Sequence, residues 1–423
     1  MMRRTLLVLT LALGSASALG AQLTLRVTVP LATPPDASVH VAGSFNGWSP
    51  DSAAYRLVRG DDGRYTITLP PSVRGPVEYK FTLGGWRTVE VDAAGGAVPN
   101  RRVTIPAGAP VTVAAEVARW SAGATAPPAS SRTASVTVLG DHFAMPQLGS
   151  DRRVWLYLPP GYATSRRRYP VLYLQDGQNL FDAATAYAGE WGIDETLDSL
   201  HAAGDPGLIV VGVDHGDARR LTEYDPWRNA DPHLGGGEGD AYVDFLVQTL
   251  KPYVDAHFRT RPDAASTGIG GSSAGALIAL YAALRHPEVF GRAALFSTAS
   301  WLAGAPLYAL AARAGAHRPA ARLYFVAGAL ETPGGEMARD QGRMVDSLLA
   351  GGYPRTAIRS LVRADGRHAE WFWRREFPAA YRWLFGRGAP SDGQAGGREQ
   401  RVRGAELAHR GARLPREMTT HVH

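Results

Sequence analysis

The chain has 423 residues, 45% of them hydrophobic and 20% charged, which is ordinary globular composition with length enough for two domains. It holds no cysteine, so disulfides, thiolate metal sites and cysteine nucleophiles are excluded. The formal net charge of +6 is carried largely by Arg3, Arg4 and the arginines after residue 387, and gives no argument for a nucleic-acid partner.

Met1-Met2-Arg3-Arg4, the apolar run 6–13 and Ser17-Ala18-Leu19-Gly20-Ala21 have the charge, length and small-residue end of a secretory signal over residues 1–21. The apolar run is short for a membrane span. A secreted or periplasmic protein with no membrane partner is the expectation.

Residues 22–118 read as a small β-sandwich, because 23–29 and 65–69 alternate apolar with polar, and Asp61-Asp62-Gly63 and Gly84-Gly85 mark turns. Three phrases stand out in it: Val41-Ala42-Gly43-Ser44-Phe45-Asn46-Gly47-Trp48, then Glu78-Tyr79-Lys80-Phe81 followed by Gly85-Trp86, then Pro99-Asn100-Arg101. Two tryptophans with amide and ammonium donors suit a sugar, which offers C–H faces to indoles and hydroxyls to polar groups. The alternative is that both indoles fill the core. Residues 119–133, rich in Pro, Ser and Ala, read as an exposed linker that isolates this module.

From 134 to 387 strands and helices alternate. Strands are predicted at 154–158, 170–174, 208–213, 266–270, 293–297, 322–327 and 356–362. Helices are predicted at 193–202, 241–257, 274–284, 306–313, 336–350 and 371–385. The pattern is that of a doubly wound, mostly parallel α/β sheet. Residues 388–423 lack periodicity and are predicted to be a disordered tail.

Within this second domain, Thr267-Gly268-Ile269-Gly270-Gly271-Ser272-Ser273-Ala274-Gly275 runs from strand to helix through G-x-S-x-G. That is the nucleophile elbow of the α/β-hydrolases, with Ser273 exposed on a strained turn. A serine nucleophile needs a base, and the base needs an orienting carboxylate. His286 ends the elbow helix and His317 sits in a Gly/Ala/Arg connector, whereas His368 follows the last strand, where the triad histidine belongs. Glu331 follows strand 322–327 by four residues; Glu336 is the second choice, since it opens the next helix, where a carboxylate meets the macrodipole. The N–H of Ala274 is one oxyanion donor, and the loop 173–181 supplies the other. Asp214-His215-Gly216-Asp217 reads as a polar loop, and no metal or cofactor is expected.

The β-module phrases resemble the starch- and glycogen-binding modules, including the glycogen-binding domain of AMP-activated kinase, an immunoglobulin-like sandwich. The resemblance implies a sugar platform of Trp48, Trp86, Lys80 and Asn100. The second domain carries Asp176-Gly177-Gln178-Asn179-Leu180-Phe181-Asp182, Arg219-Arg220-Leu221-Thr222-Glu223-Tyr224 with Pro226-Trp227, Gly271-Ser272-Ser273-Ala274, Pro287-Glu288-Val289-Phe290-Gly291 and the His368 phrase. Over 134–385 it resembles the esterase family of α/β-hydrolases that includes enterochelin, feruloyl and acetyl-xylan esterases, S-formylglutathione hydrolase and mycolyltransferases. That resemblance implies Gln178 as the second oxyanion donor, and Glu331 departs from the commoner Asp. Glu223 and Tyr224 are expected in a long loop near the pocket. Together the two resemblances imply a serine carboxylester hydrolase acting on feruloyl or acetyl esters of polysaccharide. The alternatives are a siderophore trilactone esterase and a non-catalytic glycan-binding protein.

Overall fold

The computed structural model describes residues 22–386 apart from 35, 61, 97, 107, 122–128, 187–188, 230–234, 317–319 and 333. The expected signal segment 1–21, the tail 388–423 and His317 lie outside them.

In the first segment the alternation acts as expected: β1 (Leu23–Thr28) buries Leu23, Leu25 and Val27 and turns its other residues outward. The remaining strands are β2 (His40–Gly43), β3 (Val58–Arg59), β4 (Tyr65–Thr68), β5 (Gly75–Thr82), β6 (Glu90–Val91), β7 (Arg101–Ile105), β8 (Val111–Glu116) and β9 (Arg119–Trp120). They form a sheet β3-β4-β1-β8, a second sheet β2-β5-β7 and the pair β6-β9. Val27, Val41, Phe45, Tyr79 and Phe81 join in one apolar cluster that belongs to this module alone.

The second segment adds β10 (Val136–Met145), β11 (Ser150–Tyr157), β12 (Val171–Gln175), β13 (Ile209–Val213), β14 (Thr267–Ser272), β15 (Arg292–Phe296), β16 (Arg322–Gly328) and β17 (Ile358–Arg363). They make one sheet of order β10-β11-β13-β12-β14-β15-β16-β17. The pairs β10/β11 and β11/β13 are antiparallel, and the others are parallel. Helices on both faces bury the central strands completely, which is why β13 and β14 read as continuous apolar or small runs. The helix Ala274–Arg285 is buried from Ala274 to Leu284. Its apolar surface joins one core, and the last helix, Glu370–Phe385, joins the core on the opposite face.

Four features differ from the sequence reading. Strand β10 was not singled out, because register shifts between Val138 and Gly140 and between Gly140 and Phe143 interrupt its alternation. The helix expected at 241–257 is three pieces, Gly239–Asp244, a π-helical Phe245–Leu250 and Lys251–His257. Glu223 and Tyr224 lie in the short helix Arg220–Tyr224, both fully buried, not in an open loop. The expected linker is anchored at both described ends. Arg119–Trp120 pairs with β6. Further on, the Ser130 hydroxyl donates to Asp182 at 2.7 Å and the Thr133 N–H donates to Asp194 at 2.7 Å. These bonds seat residues 130–133 on the hydrolase body, and Arg87 of the module donates to the carbonyl of Ala184 there, so the module is not isolated.

Candidate active site

Strand β14 delivers Ser273 to its carboxyl end. There the chain must reverse into the helix within one residue, and Ser273 takes φ 56°, ψ −122°, a conformation costly for any side-chain-bearing residue. The glycines make the turn possible. A Cβ on Gly271 would lie 2.8 Å from the backbone of Gly275, and one on Gly275 would lie 2.9 Å from Asp176 Oδ2. The strain is held by the neighbouring strand: the Ser273 N–H donates to Phe296 O at 3.0 Å, and the Ala299 N–H donates to Ser273 O at 3.1 Å.

His368 leaves the end of β17 and its Nδ1 lies 2.7 Å from Glu331 Oε2. The Glu331 side chain is fully buried. Its other oxygen accepts from the Ser297 hydroxyl at 2.8 Å and from the Gly328 N–H. Trp373 Nε1 in turn donates to Ser297 Oγ at 2.8 Å, and its ring stands edge-on to His368 with centroids 5.1 Å apart. A fully enclosed carboxylate with three donors is fixed in orientation, and so is the imidazole it meets. Glu336 is the first residue of its helix, half exposed and paired with Arg339 at 3.3 Å. His286 binds Glu288 at 3.0 Å at the far end of the elbow helix.

The loop after β12 turns at Asp176, φ 58°, and carries Gln178, whose side-chain oxygen accepts from the His215 N–H at 3.3 Å. Arg220 holds both oxygens of Asp176 at 2.7 and 2.8 Å. Burial pushes the Asp176 carboxyl up, but Arg220 outweighs it and keeps the group ionised, below its ordinary value. The Asp176 N–H donates to the Tyr224 hydroxyl at 3.3 Å. Ala274 begins the elbow helix, so its N–H has no acceptor within that helix. Glu370 begins the last helix beside His368; burial pushes its carboxyl up to about 7, against the opposing influence of His368 and Lys80. Sequence reasoning missed Ser297, Trp373 and Glu370. Ser297 left one signal, a polar residue directly after the apolar strand β15, where it adopts φ 51°.

In the β-module, Trp48 and Trp86 come together with ring centroids 6.2 Å apart and planes tilted by 35°. Both are partly exposed, and neither belongs to the module's apolar cluster. Lys80 Nζ donates to Val98 O at 2.7 Å, and Asn100 Nδ2 donates to Glu78 Oε2 at 2.9 Å. Around Asp214, His215 and Asp217 the Asp217 N–H donates to His215 Nδ1 at 3.0 Å. No group of three possible metal ligands occurs among the described residues.

A mostly parallel sheet with a strained serine at the elbow after β14, and a buried carboxylate bonded to a partly exposed imidazole at the ends of β16 and β17, defines an α/β-hydrolase of the esterase type. Residues 145–384 match the family described as Putative esterase, and the chain belongs to that family. Among curated relatives, an alpha-amylase of Niallia circulans is 47% identical over 97 residues, 23% of this chain and 7% of the relative. A siderophore triacetylfusarinine C esterase of Aspergillus fumigatus is 32% identical over 30% of this chain and 43% of its own length. An endo-1,4-beta-xylanase/feruloyl esterase of Xylanibacter ruminicola is 28% identical over 35% of this chain and 19% of its own length. The chain thus spans less than half the length of each of these three. The solved enterobactin esterase of Shigella flexneri is 20% identical, with 82% of this chain and 88% of that one covered and a TM-score of 0.46.

Proposed function

We propose that this protein is an exported serine carboxylester hydrolase that acts on esters carried by sugars. Ser273 Oγ attacks the ester carbonyl while His368 Nε2 takes its proton. Glu331 holds the imidazole through Nδ1 and stabilises the imidazolium, and the N–H groups of Gln178 and Ala274 receive the oxyanion. Collapse expels the alcohol, protonated by His368. Water then repeats the sequence on the acyl-enzyme and frees the acid.

The observation that carries the proposal is the 2.7 Å contact of His368 Nδ1 with the enclosed Glu331 carboxylate. A charge buried this completely costs several kcal/mol on the order of unless donors surround it, and here one donor is a partly exposed imidazole. A surface histidine with a structural role needs no such partner.

The sugar half of the proposal is supported by the paired, part-exposed indoles Trp48 and Trp86. It is supported also by the alpha-amylase relative, whose 97-residue match is a length that suits the β-module and not the hydrolase domain. The siderophore-esterase relative supports a second reading, a trilactone esterase. Turnover of p-nitrophenyl acetate by the wild type and not by Ser273→Ala tests catalysis. Methyl ferulate, acetylated xylan and enterobactin offered side by side separate the substrate classes, and turnover of enterobactin alone would replace the sugar reading.

A further inference from the structure

We infer that the Trp48–Trp86 face and the ester site form a single substrate site, in which the β-module holds the sugar while its acyl group lies at Ser273. This rests on the sugar-ester reading above and goes further, since a module on a linker would only tether the enzyme to an insoluble substrate.

The connection runs through named bonds. Trp86 opens the turn Trp86–Thr88, and the next residue, Arg87, donates from its guanidinium to the carbonyl of Ala184. The Ser121 hydroxyl donates to Arg87 O at 2.6 Å and braces that turn from behind. Ala184 adjoins Thr185, whose hydroxyl donates to the carbonyl of Gln178 at 2.8 Å. The indole turn and the proposed oxyanion loop are therefore two hydrogen bonds apart. The loop between them is rigidly held. Asp182 accepts from the Ser130 hydroxyl at 2.7 Å, and the Ala183 N–H donates to Ser131 Oγ at 2.8 Å.

The second connection is at the other side of the site. The same loop passes the start of the last helix, where a Cβ on Gly189 would lie 3.8 Å from the Cβ of Glu370. Glu370 is two residues from His368 and interacts electrostatically with Lys80 of β5. Lys80 is kept below its ordinary pKa by burial, and Glu90 and Glu370 oppose that. The indole turn, through Arg87, thus meets the segment that carries Gln178, and Lys80 of β5 lies within electrostatic reach of Glu370.

A tether raises the local concentration of a polymer and leaves a short soluble substrate unaffected; a shared site acts on both. The probes are methyl ferulate and a soluble feruloylated arabinoxylan trisaccharide, with the full-length chain as enzyme. The readout is the ratio of kcat/KM for the trisaccharide to kcat/KM for methyl ferulate. Trp48→Ala and Trp86→Ala should each lower the ratio about tenfold, mainly through KM of the trisaccharide, as loss of one ring stack predicts. Trp86→Phe, which keeps a ring and spares the fold, should recover most of it. A ratio unchanged in folded variants, with weaker binding to insoluble arabinoxylan, would overturn the shared site and leave a tether. A Phe variant as poor as the Ala variant would overturn stacking. A wild type that cleaves methyl ferulate but ignores the trisaccharide would instead overturn the sugar-ester reading itself.

Discussion

Glu331→Gln keeps shape and volume and removes the negative charge together with the ability of both side-chain oxygens to accept. In the native chain Oε1 accepts from the Ser297 hydroxyl and from the Gly328 N–H, while Oε2 faces His368 Nδ1. A backbone N–H cannot reverse, so the new amide keeps its oxygen toward Gly328 and presents its NH2 to His368. Nδ1 must then accept, and the ring proton moves to Nε2, the nitrogen that takes the proton of Ser273 in the proposed mechanism. An inverted tautomer of this kind costs about ten-thousandfold in kcat, or about 5 kcal/mol of transition-state stabilisation. KM should change little, because substrate does not touch residue 331. The assay is steady-state hydrolysis of p-nitrophenyl acetate, with a thermal melt to establish that the variant is folded. A folded variant within tenfold of wild-type kcat would refute the reasoning, and a larger loss in Glu336→Gln would move the orienting carboxylate there.

Ser273→Ala should lower kcat by at least about three orders of magnitude while the fold is retained, and Ser273→Ala with His368→Ala should be little worse than either alone, since the pair acts as a unit. Equal loss in Ser272→Ala would put the elbow in the wrong register. Gly275→Ala should destabilise the domain by about 1–3 kcal/mol, because its Cβ would sit 2.9 Å from Asp176 Oδ2 and 3.0 Å from Gln175 Cβ; an unchanged Tm would contradict that packing. Glu370 gives a pH test. Its folded pKa of about 7 lies above the ordinary 4.5, so the folded state binds the extra proton and stability falls as pH rises from 4.5 to 7. Glu370→Gln should therefore gain Tm relative to wild type between pH 4.5 and 7, with no further change above 7. A difference independent of pH would show that Glu370 is not buried as described.

Several parts of this protein were legible from local pattern. The elbow is a local object: a short apolar strand, glycines at 271 and 275 and an apolar helix specify a turn that leaves little choice for the backbone of Ser273, so the sequence names it. The central strands were legible for the same reason, because burial on both faces demands uninterrupted apolar residues. By itself the sequence also singled out His368 as the candidate base, by its place after the last strand.

Tertiary structure decided what local pattern leaves open. Glu331 and Glu336 are five positions apart, one in the loop after β16 and the other opening the next helix, and only the pairing of β16 with β17 determines which of them lies beside His368. Ser297 and Trp373, which hold that carboxylate, are 76 residues apart. No periodicity links them, since they meet only because β15 ends beneath the start of the last helix. The module's seat on the hydrolase body was the furthest from view. A Pro- and Ser-rich segment reads as an isolating linker from composition, because composition records the conformational freedom of a segment. The bonds of Arg87 to Ala184 and of Ser130 to Asp182 depend on which surfaces face each other, and that is set by two folded domains, not by either stretch of chain.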